Sequence, residues 1–185
     1  ANEDGNNAQE LYNDDIFVGY RYYDTFGKDV SYEFGYGGSY TTFAMQTQSV
    51  TADKDKVTGK VKVKNTGSVS GKEVAEVYFS APEGNLDKPY QELAGYAKTD
   101  ELAPGESQVL TITYDTTEMG SYDTDKAAYV MEDGDYIIRV GNSSRNTHVA
   151  GKISVAEDTI TEQYSNLMVP VKDNPNVADD EKYPT

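Results

Sequence analysis

Residues 56–65 read Lys-Val-Thr-Gly-Lys-Val-Lys-Val-Lys-Asn, and apolar and polar side chains alternate along them with a period of two. Successive side chains of a β-strand point to opposite faces of its sheet, so this pattern predicts a strand with one buried and one solvated face. Val57, Gly59, Val61 and Val63 share the apolar face. The alternation indicates a sheet that covers a core on one side.

Short runs with strand character follow along the chain at the spacing of hairpins. We expect further strands at 43–50, 72–80, 91–98, 107–114, 127–131, 134–141 and 147–155. Leu102-Ala-Pro-Gly-Glu106 separates two of them and has the Pro and Gly positions of a type II turn. Helical signal is almost absent. The pattern predicts an all-β sandwich of about seven strands.

An aromatic-rich segment precedes the sandwich. The chain has 16 Tyr and 5 Phe, and ten of these 21 rings lie in residues 16–43. Residues 16–23 (IFVGYRYY) have strand composition and are too apolar for a strand with one wet face, so we expect an extended strand buried on both faces or by a partner. The four Gly in 27–39 predict an irregular loop.

The rings of this segment must be buried or remain able to associate with other apolar surfaces, because each carries a large apolar area. We expect them either to fold back onto the sandwich near Phe79 and Tyr96 or to lie exposed and contact a neighbouring molecule. Within the strand at 72–80, Ala75, Val77 and Phe79 share one face, and Glu76 and Tyr78 lie on the opposite one.

The two ends of the chain read differently from its middle. Residues 1–11 are polar and predict a solvated leader with a short helical turn near 8–11. Residues 119–125 predict a helical turn or a pair of turns. From Glu157 onward the periodicity fades, and three Pro with an acidic bias indicate a linker or tail. The chain begins at Ala1 without a Met, so we expect a processed or shortened polypeptide.

The composition of the chain limits the kinds of molecule that it can bind. The 185 residues suffice for one domain with attached segments, and the net charge is −16. A field of that sign repels phosphate backbones and anionic lipids, so we expect no nucleic-acid and no membrane partner. There is no Cys, which excludes disulfides and thiolate chemistry. No apolar run approaches the roughly 20 residues of a membrane helix.

Three stretches in one order resemble a known family. The first runs from Asp14-Asp-Ile-Phe-Val-Gly-Tyr-Arg-Tyr-Tyr-Asp-Thr-Phe-Gly27 into Phe34-Gly-Tyr-Gly-Gly-Ser-Tyr-Thr-Thr-Phe43. The second is Val61-Lys-Val-Lys-Asn-Thr-Gly-Ser-Val-Ser-Gly-Lys-Glu-Val-Ala-Glu-Val-Tyr-Phe-Ser-Ala-Pro-Glu-Gly84. The third is Lys88-Pro-Tyr-Gln-Glu-Leu-Ala-Gly-Tyr-Ala-Lys-Thr99 with Leu102-Ala-Pro-Gly-Glu-Ser107. Over roughly residues 12–156, they resemble the C-terminal part of glycoside hydrolase family 3 β-glucosidases.

The resemblance implies a division of the chain. Residues 1–42 would be a leader and the orphaned closing strand and loop of the family's α/β-sandwich domain, and 43–156 a fibronectin type III-like, immunoglobulin-like sandwich. Residues 157–185 would be an acidic, Pro-containing linker, which in members with permuted domain order leads into the barrel; the continuing chain favours this order. Gly38 replaces the Leu of the family's G-Y-G-L-S-Y-T run, a change that affects local packing only.

The resemblance also implies a function. The family's catalytic Asp lies on a separate (β/α)8 barrel and its acid/base Glu elsewhere in the sandwich domain, and neither motif occurs here. We therefore expect a non-catalytic brace of a retaining β-glucosidase, without catalytic residues, cofactor or metal. Its partners would be the catalytic domains and, through the exposed aromatic segment, other copies of itself. The expected packing residues are Phe17, Tyr20, Tyr22, Tyr23, Phe26, Phe34, Tyr36 and Tyr40.

Isolated acidic residues are better explained by structure than by chemistry. Glycosidases need two carboxyl groups about 5 to 9.5 Å apart, but Asp14 and Asp15 are adjacent and would point to opposite faces of a strand. We interpret them as a solvated strand entry. The acidic runs 53–55 and 132–135 lack the twelve-residue spacing of a calcium loop and predict hairpin turns.

Other single residues are also predicted to be structural. His148, the only His, has no partner of the kind that metal or base chemistry needs, so we expect a surface or sheet-edge position. Arg21 is expected to pack among the rings or to pair with Asp24. Tyr136 follows Gly134-Asp135 as a tyrosine corner does. The glycosylation-like Asn142-Ser-Ser144 is a common chance match.

The sequence also allows two other functions. Exposed rings form platforms for sugar faces, so a stand-alone carbohydrate-binding module is one alternative. The chain has no Trp, and its rings are concentrated in one segment, so interdomain packing is favoured. A cell-surface adhesion or spacer sandwich is the other alternative, without an anchor motif or tandem copy to support it.

Overall fold

The computed structural model describes residues 15–165. In this range the chain forms ten strands, one short helix and one 3-10 turn at Thr116–Met119. The helix α1 is Tyr20–Thr25, and the strands are β1 Phe43–Ala52, β2 Lys56–Asn65, β3 Val74–Ser80, β4 Glu92–Lys98, β5 Ser107–Asp115, β6 Ser121–Asp123, β7 Ala128–Met131, β8 Gly134–Gly141, β9 Thr147–Val155 and β10 Thr159–Gln163. The expected turn at 8–11, Asp14 and the tail beyond 165 lie outside the described residues.

The strands form three antiparallel sheets. A three-stranded sheet has the order β1-β2-β5, a four-stranded sheet the order β4-β3-β8-β9, and a small sheet the order β10-β7-β6. The core lies between the first two sheets and is filled by β-branched and aromatic side chains of β2, β3, β5 and β8. The predicted all-β sandwich is confirmed.

Strand β2 has the bounds that its alternation predicts. Val57, Val61 and Val63 are fully buried, and Lys60 and Lys64 are exposed. Val61 lies opposite Thr47 on one side and Leu110 on the other, so β2 is the middle strand of its sheet. Because a shift of one residue would turn all three valines outward, the apolar face sets the register.

Strand β3 differs from β2 because both of its faces are buried. Ala75, Val77 and Phe79 enter the core as the alternation predicts. Glu76 and Tyr78, on the opposite face, are only 7% and 0% exposed. The outer face of the four-stranded sheet is therefore covered at β3 by another part of the chain.

The strand predicted at 16–23 is wrong. Gly19, at φ 60, turns the backbone into α1, and the helix brings the rings of Tyr22 and Phe26 to 5.0 Å between centroids. Phe26 also packs on Phe17 at 5.2 Å. A short run of rings satisfies strand and helix patterns equally, and here ring contacts one helical turn apart favour the helix.

The chain also forms two strands, β6 and β10, that the sequence does not indicate. Strand β10 pairs with β7 inside the stretch interpreted as linker, and β6 follows the 3-10 turn in the stretch interpreted as turns. The ring of Tyr129 lies 5.3 Å from Tyr122 and 6.0 Å from Tyr164. Strand β10 carries only one large apolar side chain, Ile160, which is 53% exposed, so it has no alternation to detect.

The predicted hairpin turn at 132–135 is also wrong, since β7 and β8 belong to different sheets. Glu132 is buried and pairs with Lys88, and its carboxylate accepts the amides of Asn85 at 2.7 Å and Leu86 at 3.2 Å. Burial alone would raise the pKa of Glu132. The Lys88 ammonium and the two amides outweigh that effect and hold the pKa below its usual range. This corner fastens the loop 82–90 to the sandwich.

Two other local predictions are confirmed. Asp53 closes the β1–β2 hairpin, because its Oδ1 accepts the amides of Asp55 and Lys56, both at 2.8 Å. Tyr136 is fully buried, and its hydroxyl donates to the carbonyl of Glu132 at 3.3 Å. This is the geometry of a tyrosine corner. Burial raises the pKa of Tyr136 to about 12.

We expect Tyr136→Phe to lower the free energy of unfolding by about 1 kcal/mol, because the ring stays and the buried hydroxyl bond is lost. Urea denaturation measures the change. Tyr96→Phe, at a ring that is 70% exposed, is the matched control and should change stability by less than about 0.5 kcal/mol. Equal stabilities of the two variants would contradict a corner that contributes to folding.

Candidate interdomain interface

The outer face of β3 and β4 is covered by residues 16–42, which we call the aromatic segment. Its contacts reach four parts of the sandwich: β3, the region 90–93 at the start of β4, the β8–β9 loop at residues 142–146, and the end of β2. The segment precedes the sandwich in the chain, and its rings pack against the four-stranded sheet, whereas Thr41 bonds Asn65 at the end of β2.

Tyr20 lies at the centre of this contact. Its ring stacks on Phe34 with centroids 4.6 Å apart and meets the edge of Tyr78 at 6.2 Å. Its hydroxyl accepts the backbone amide of Leu93 at 2.8 Å. The rings of the segment therefore fold back onto the sandwich, but beside Tyr78 rather than beside Phe79 and Tyr96. Phe79 points into the core, and Tyr96 is 70% exposed.

The absence of a side chain at Gly35 allows the segment to approach β3 closely. At φ +82 it has a backbone conformation that other residues rarely adopt, and a Cβ placed there would lie 2.5 Å from Oε2 of Glu76. That oxygen also accepts the hydroxyl of Tyr78 at 2.6 Å. A side chain at position 35 would displace the carboxylate from its buried position.

Two ion pairs join the segment to the sandwich. Arg21 contacts Glu92 of β4 at 3.0 Å, and Asp24 contacts Arg145 of the β8–β9 loop at 2.8 Å. The alternative in which Arg21 pairs with Asp24 is therefore not found. Thr25 adds a hydrogen bond between uncharged groups, since its Oγ1 accepts the amide of Tyr90 at 2.8 Å.

The β8–β9 loop holds the middle of the segment. Arg145 donates from Nη2 to the carbonyls of Lys28 at 2.7 Å and Tyr23 at 3.4 Å, beyond its ion pair with Asp24. The amide of Ser144 donates to the carbonyl of Phe34 at 2.8 Å. Ser143 Oγ donates to Glu33 Oε1 at 3.1 Å. This network spans 23–34 and fixes the irregular loop without secondary structure.

Burial changes the acid–base properties of the covered face. Burial raises the pKa of Glu76, the bond from Tyr78 opposes this rise, and the charge of Glu73 adds to it. Burial also raises the pKa of Glu92, against the attraction of Arg21, and raises that of Tyr78. The aromatic segment thus shields Glu76 from water, whereas Glu92 remains partly exposed.

The eight residues expected at an interdomain interface divide into two groups. Phe17, Tyr20, Tyr22 and Phe26 are half-buried within the segment or against the sandwich. Tyr23, Phe34, Tyr36 and Tyr40 are 43%, 45%, 56% and 100% exposed. Tyr32, which was not among the eight, is 70% exposed and packs against Tyr36 at 4.9 Å. The outward side of the segment therefore presents a cluster of rings to solvent.

The remaining candidate residues do not assemble into a catalytic or metal site. His148 is exposed on β9 and bonds Thr47 Oγ1 at 3.0 Å. Asp15 is exposed, and the Asn142 side chain donates to Glu73 at 3.4 Å. Among residues 15–165, no three acidic or His side chains lie together as metal ligands would. Nor does any helix in that range have the length and hydropathy to cross a membrane.

The residues that matter most for the contact were the least visible in the sequence. Arg145 lies in a polar loop, 121 positions from Asp24, and nothing local indicates their pairing. Glu76 offered a signal, a carboxylate between the apolar residues of β3, but its cover could not be identified. Gly35 was visible only as one of several glycines.

Comparisons with known proteins agree on one group of enzymes. The family model of the fibronectin type III-like domain matches residues 73–144. Beta-glucosidase A of Butyrivibrio fibrisolvens is 41% identical over 182 residues, which cover 86% of this chain and 22% of that protein. A β-glucosidase of Ruminococcus albus is 41% identical over 172 residues, 90% of this chain and 18% of that protein. The chain spans about a fifth of the length of these relatives.

Solved structures give the same result. β-Glucosidase 3B from Thermotoga neapolitana, in complex with α-D-glucose, matches at 45% identity and a TM-score of 0.75, over 80% of this chain and 20% of that one. A β-glucosidase from Paenibacillus barengoltzii matches at 45% identity and 0.80, over 85% and 19%. A GH3 β-glucosidase from Bifidobacterium adolescentis matches at 33% and 0.70, over 78% and 21%.

We expect Arg145→Met to release the aromatic segment without unfolding the sandwich, because the variant loses one ion pair and two bonds to carbonyls. Hydrogen exchange should accelerate about tenfold or more at the amides of Tyr90 and Leu93, which the segment covers, consistent with the 1.5–3 kcal/mol typical of charged hydrogen bonds. Amides of β2 should keep their protection. Lys152→Met, which removes an exposed ion pair with Asp135, is the control. Unchanged exchange at both amides would show that Arg145 does not hold the segment.

We expect Glu76→Gln to change how stability depends on pH. Because the pKa of Glu76 is raised in the folded state, the native protein binds a proton more tightly than the unfolded chain, and its stability rises as the pH falls through that window. Gln does not titrate and can still accept the Tyr78 hydroxyl. The variant should therefore exceed the wild type in unfolding free energy at pH 8, by a margin that shrinks toward pH 5. Urea denaturation at both pH values, with exposed Glu101→Gln as control, measures this; a constant margin would contradict it.

Proposed function

Because the chain carries a fibronectin type III-like domain and is homologous to one segment of glycoside hydrolase family 3 β-glucosidases, we propose that it is a non-catalytic accessory segment that braces the catalytic domains of such an enzyme. The homologues are larger, multidomain proteins of which this segment is about a fifth. The partner that we propose is therefore the remainder of the parent polypeptide.

The aromatic segment carries the proposal. Its inner side is tied to β3, β4 and the β8–β9 loop by ring contacts and two ion pairs. Its outer side exposes Tyr23, Phe34, Tyr36 and Tyr40. A segment that is fixed on one side and apolar on the other fits a position between two domains. In the isolated chain, the same rings are the surface through which copies would associate.

The division of the chain follows from this role. We propose that residues up to 42 complete the α/β-sandwich domain of the parent and that 43–156 form the fibronectin type III-like brace, of which the family model matches 73–144. Beyond the brace, β10 adds one more edge strand before the linker. We propose the permuted order, in which this linker leads into the barrel.

The parent reaction that we propose is the retaining hydrolysis of terminal β-D-glucosides. Retention needs a nucleophilic carboxylate and an acid/base carboxyl about 5 Å apart across the sugar. By the family resemblance, both groups belong to the other domains of the parent. The buried carboxylates here already have structural partners: Glu76 bonds Tyr78, and Glu132 bonds Lys88.

The carbohydrate-binding alternative has less support. Tyr122 and Tyr129 lie on neighbouring strands, Tyr164 directly follows β10, and the three rings are 38–46% exposed, as a sugar platform would require. Their planes are inclined at 63° and 67° between neighbours, so the three rings do not form one flat surface. The arrangement resembles edge-to-face packing that stabilises a small sheet.

Incubation of the purified chain with an aryl β-D-glucoside tests the accessory role. We expect no release of the aryl group above background, because the catalytic carboxyl groups lie outside this chain. The full-length Thermotoga neapolitana β-glucosidase 3B serves as the positive control. Turnover that co-purifies with the chain would overturn the proposal. In affinity electrophoresis, migration of the same preparation slowed by a soluble β-glucan would favour the carbohydrate-binding alternative.

A further inference from the structure

A groove of about 230 Å³ is lined by residues of the aromatic segment. Its lining residues include four aromatic residues, Tyr20, Tyr23, Tyr32 and Phe34, and two acidic residues, Asp24 and Glu33. The groove thus brings aromatic faces and acidic side chains to one place, and Asp24, Glu33 and Phe34 also bond the β8–β9 loop.

Asp24 is the unusual member of this set. Its side chain is only 6% exposed, and Oδ1 is paired with Arg145. Its other oxygen, Oδ2, is buried and accepts no hydrogen bond. A buried carboxylate oxygen without a donor is costly, and native proteins supply one in most cases. The groove therefore needs a donor that residues 15–165 do not provide.

The surrounding chemistry favours a cation as that donor. Tyr32 is 70% exposed, and Tyr23 and Phe34 nearly half, so ring surface is available to a charged group placed over it. A guanidinium pairs a full positive charge with a carboxylate through a planar fork of donors and can stack on a ring at the same time. The net charge of −16 adds a long-range attraction for a positive group.

We infer that this groove receives an arginine side chain from the body of the α/β-sandwich domain, with the guanidinium donating to Asp24 Oδ2 and lying against Tyr32. The inference rests on the proposed function, because the rest of the parent supplies the arginine. The interface would then contain a basic side chain bound in an acidic, aromatic groove.

The test uses the ¹⁵N-labelled chain and a small probe, Nα-acetyl-L-arginine amide, followed by amide chemical shifts. We expect shifts concentrated at Val30, Tyr32 and Phe34, and binding at least about fivefold tighter than that of the neutral isostere Nα-acetyl-L-citrulline amide. Binding should weaken as salt is added. Methyl β-D-glucopyranoside, the probe for a sugar site, should leave these amides unchanged.

Two variants assign the effect to the groove. Asp24→Asn should lower the affinity for the arginine probe about fivefold or more, and Asp125→Asn, an equal change of charge at an exposed turn, should not. Because Asp24→Asn also weakens the contact with Arg145, Tyr32→Leu is the second variant; its ring has no partner in the sandwich, and the amide spectrum reports whether the segment stays folded.

Equal responses to the arginine and citrulline probes, shifts outside the groove, or a stronger response to the glucoside would overturn the cation site. So would an unchanged affinity in both variants. None of these results depends on whether the chain turns over an aryl glucoside. A failed cation site therefore leaves the accessory role standing, and turnover by the chain would overturn that role whatever the probes show.

Discussion

The contact between Glu76, Tyr78 and the aromatic segment is the constraint on which the rest of the structure depends. Strand β3 lies inside its sheet, between β4 and β8, so its inner face joins the core and its outer face needs a cover. A carboxylate and a tyrosine on that face bond each other at 2.6 Å, which satisfies one polar group of each. Gly35 and Tyr20 then close the face against water.

This contact makes the aromatic segment and the sandwich one packing unit, although the strands begin only at Phe43. The two parts differ in topology, because the segment adds no strand to any of the three sheets. In packing, ion pairs at Glu92 and Arg145 join the two parts. The aromatic segment is therefore held in place by the sandwich that follows it in the chain.

Features that depend on neighbouring residues could be predicted from the sequence, and contacts between residues far apart in the chain could not. Strands β2, β8 and β9 have their predicted bounds, because alternation is a local property of the sequence. Helix α1 was mistaken for a strand, since six residues rich in rings have no distinguishing period. Strand β10 was missed because it buries almost no apolar side chain. The contact between the aromatic segment and the sandwich depends on pairs such as Asp24 with Arg145, whose separation along the chain leaves no local pattern.

The corner at Glu132 has a structural consequence. It holds the loop 82–90 through Lys88, and that loop ends at Tyr90, whose amide is bonded to Thr25 and whose ring lies under Arg139 at 5.0 Å. Glu132 directly follows β7, the strand that pairs with β10 near the other end of the described chain. Short contacts thus connect the loop 82–90 to the aromatic segment at one end and, through Glu132 and β7, to the small sheet at the other.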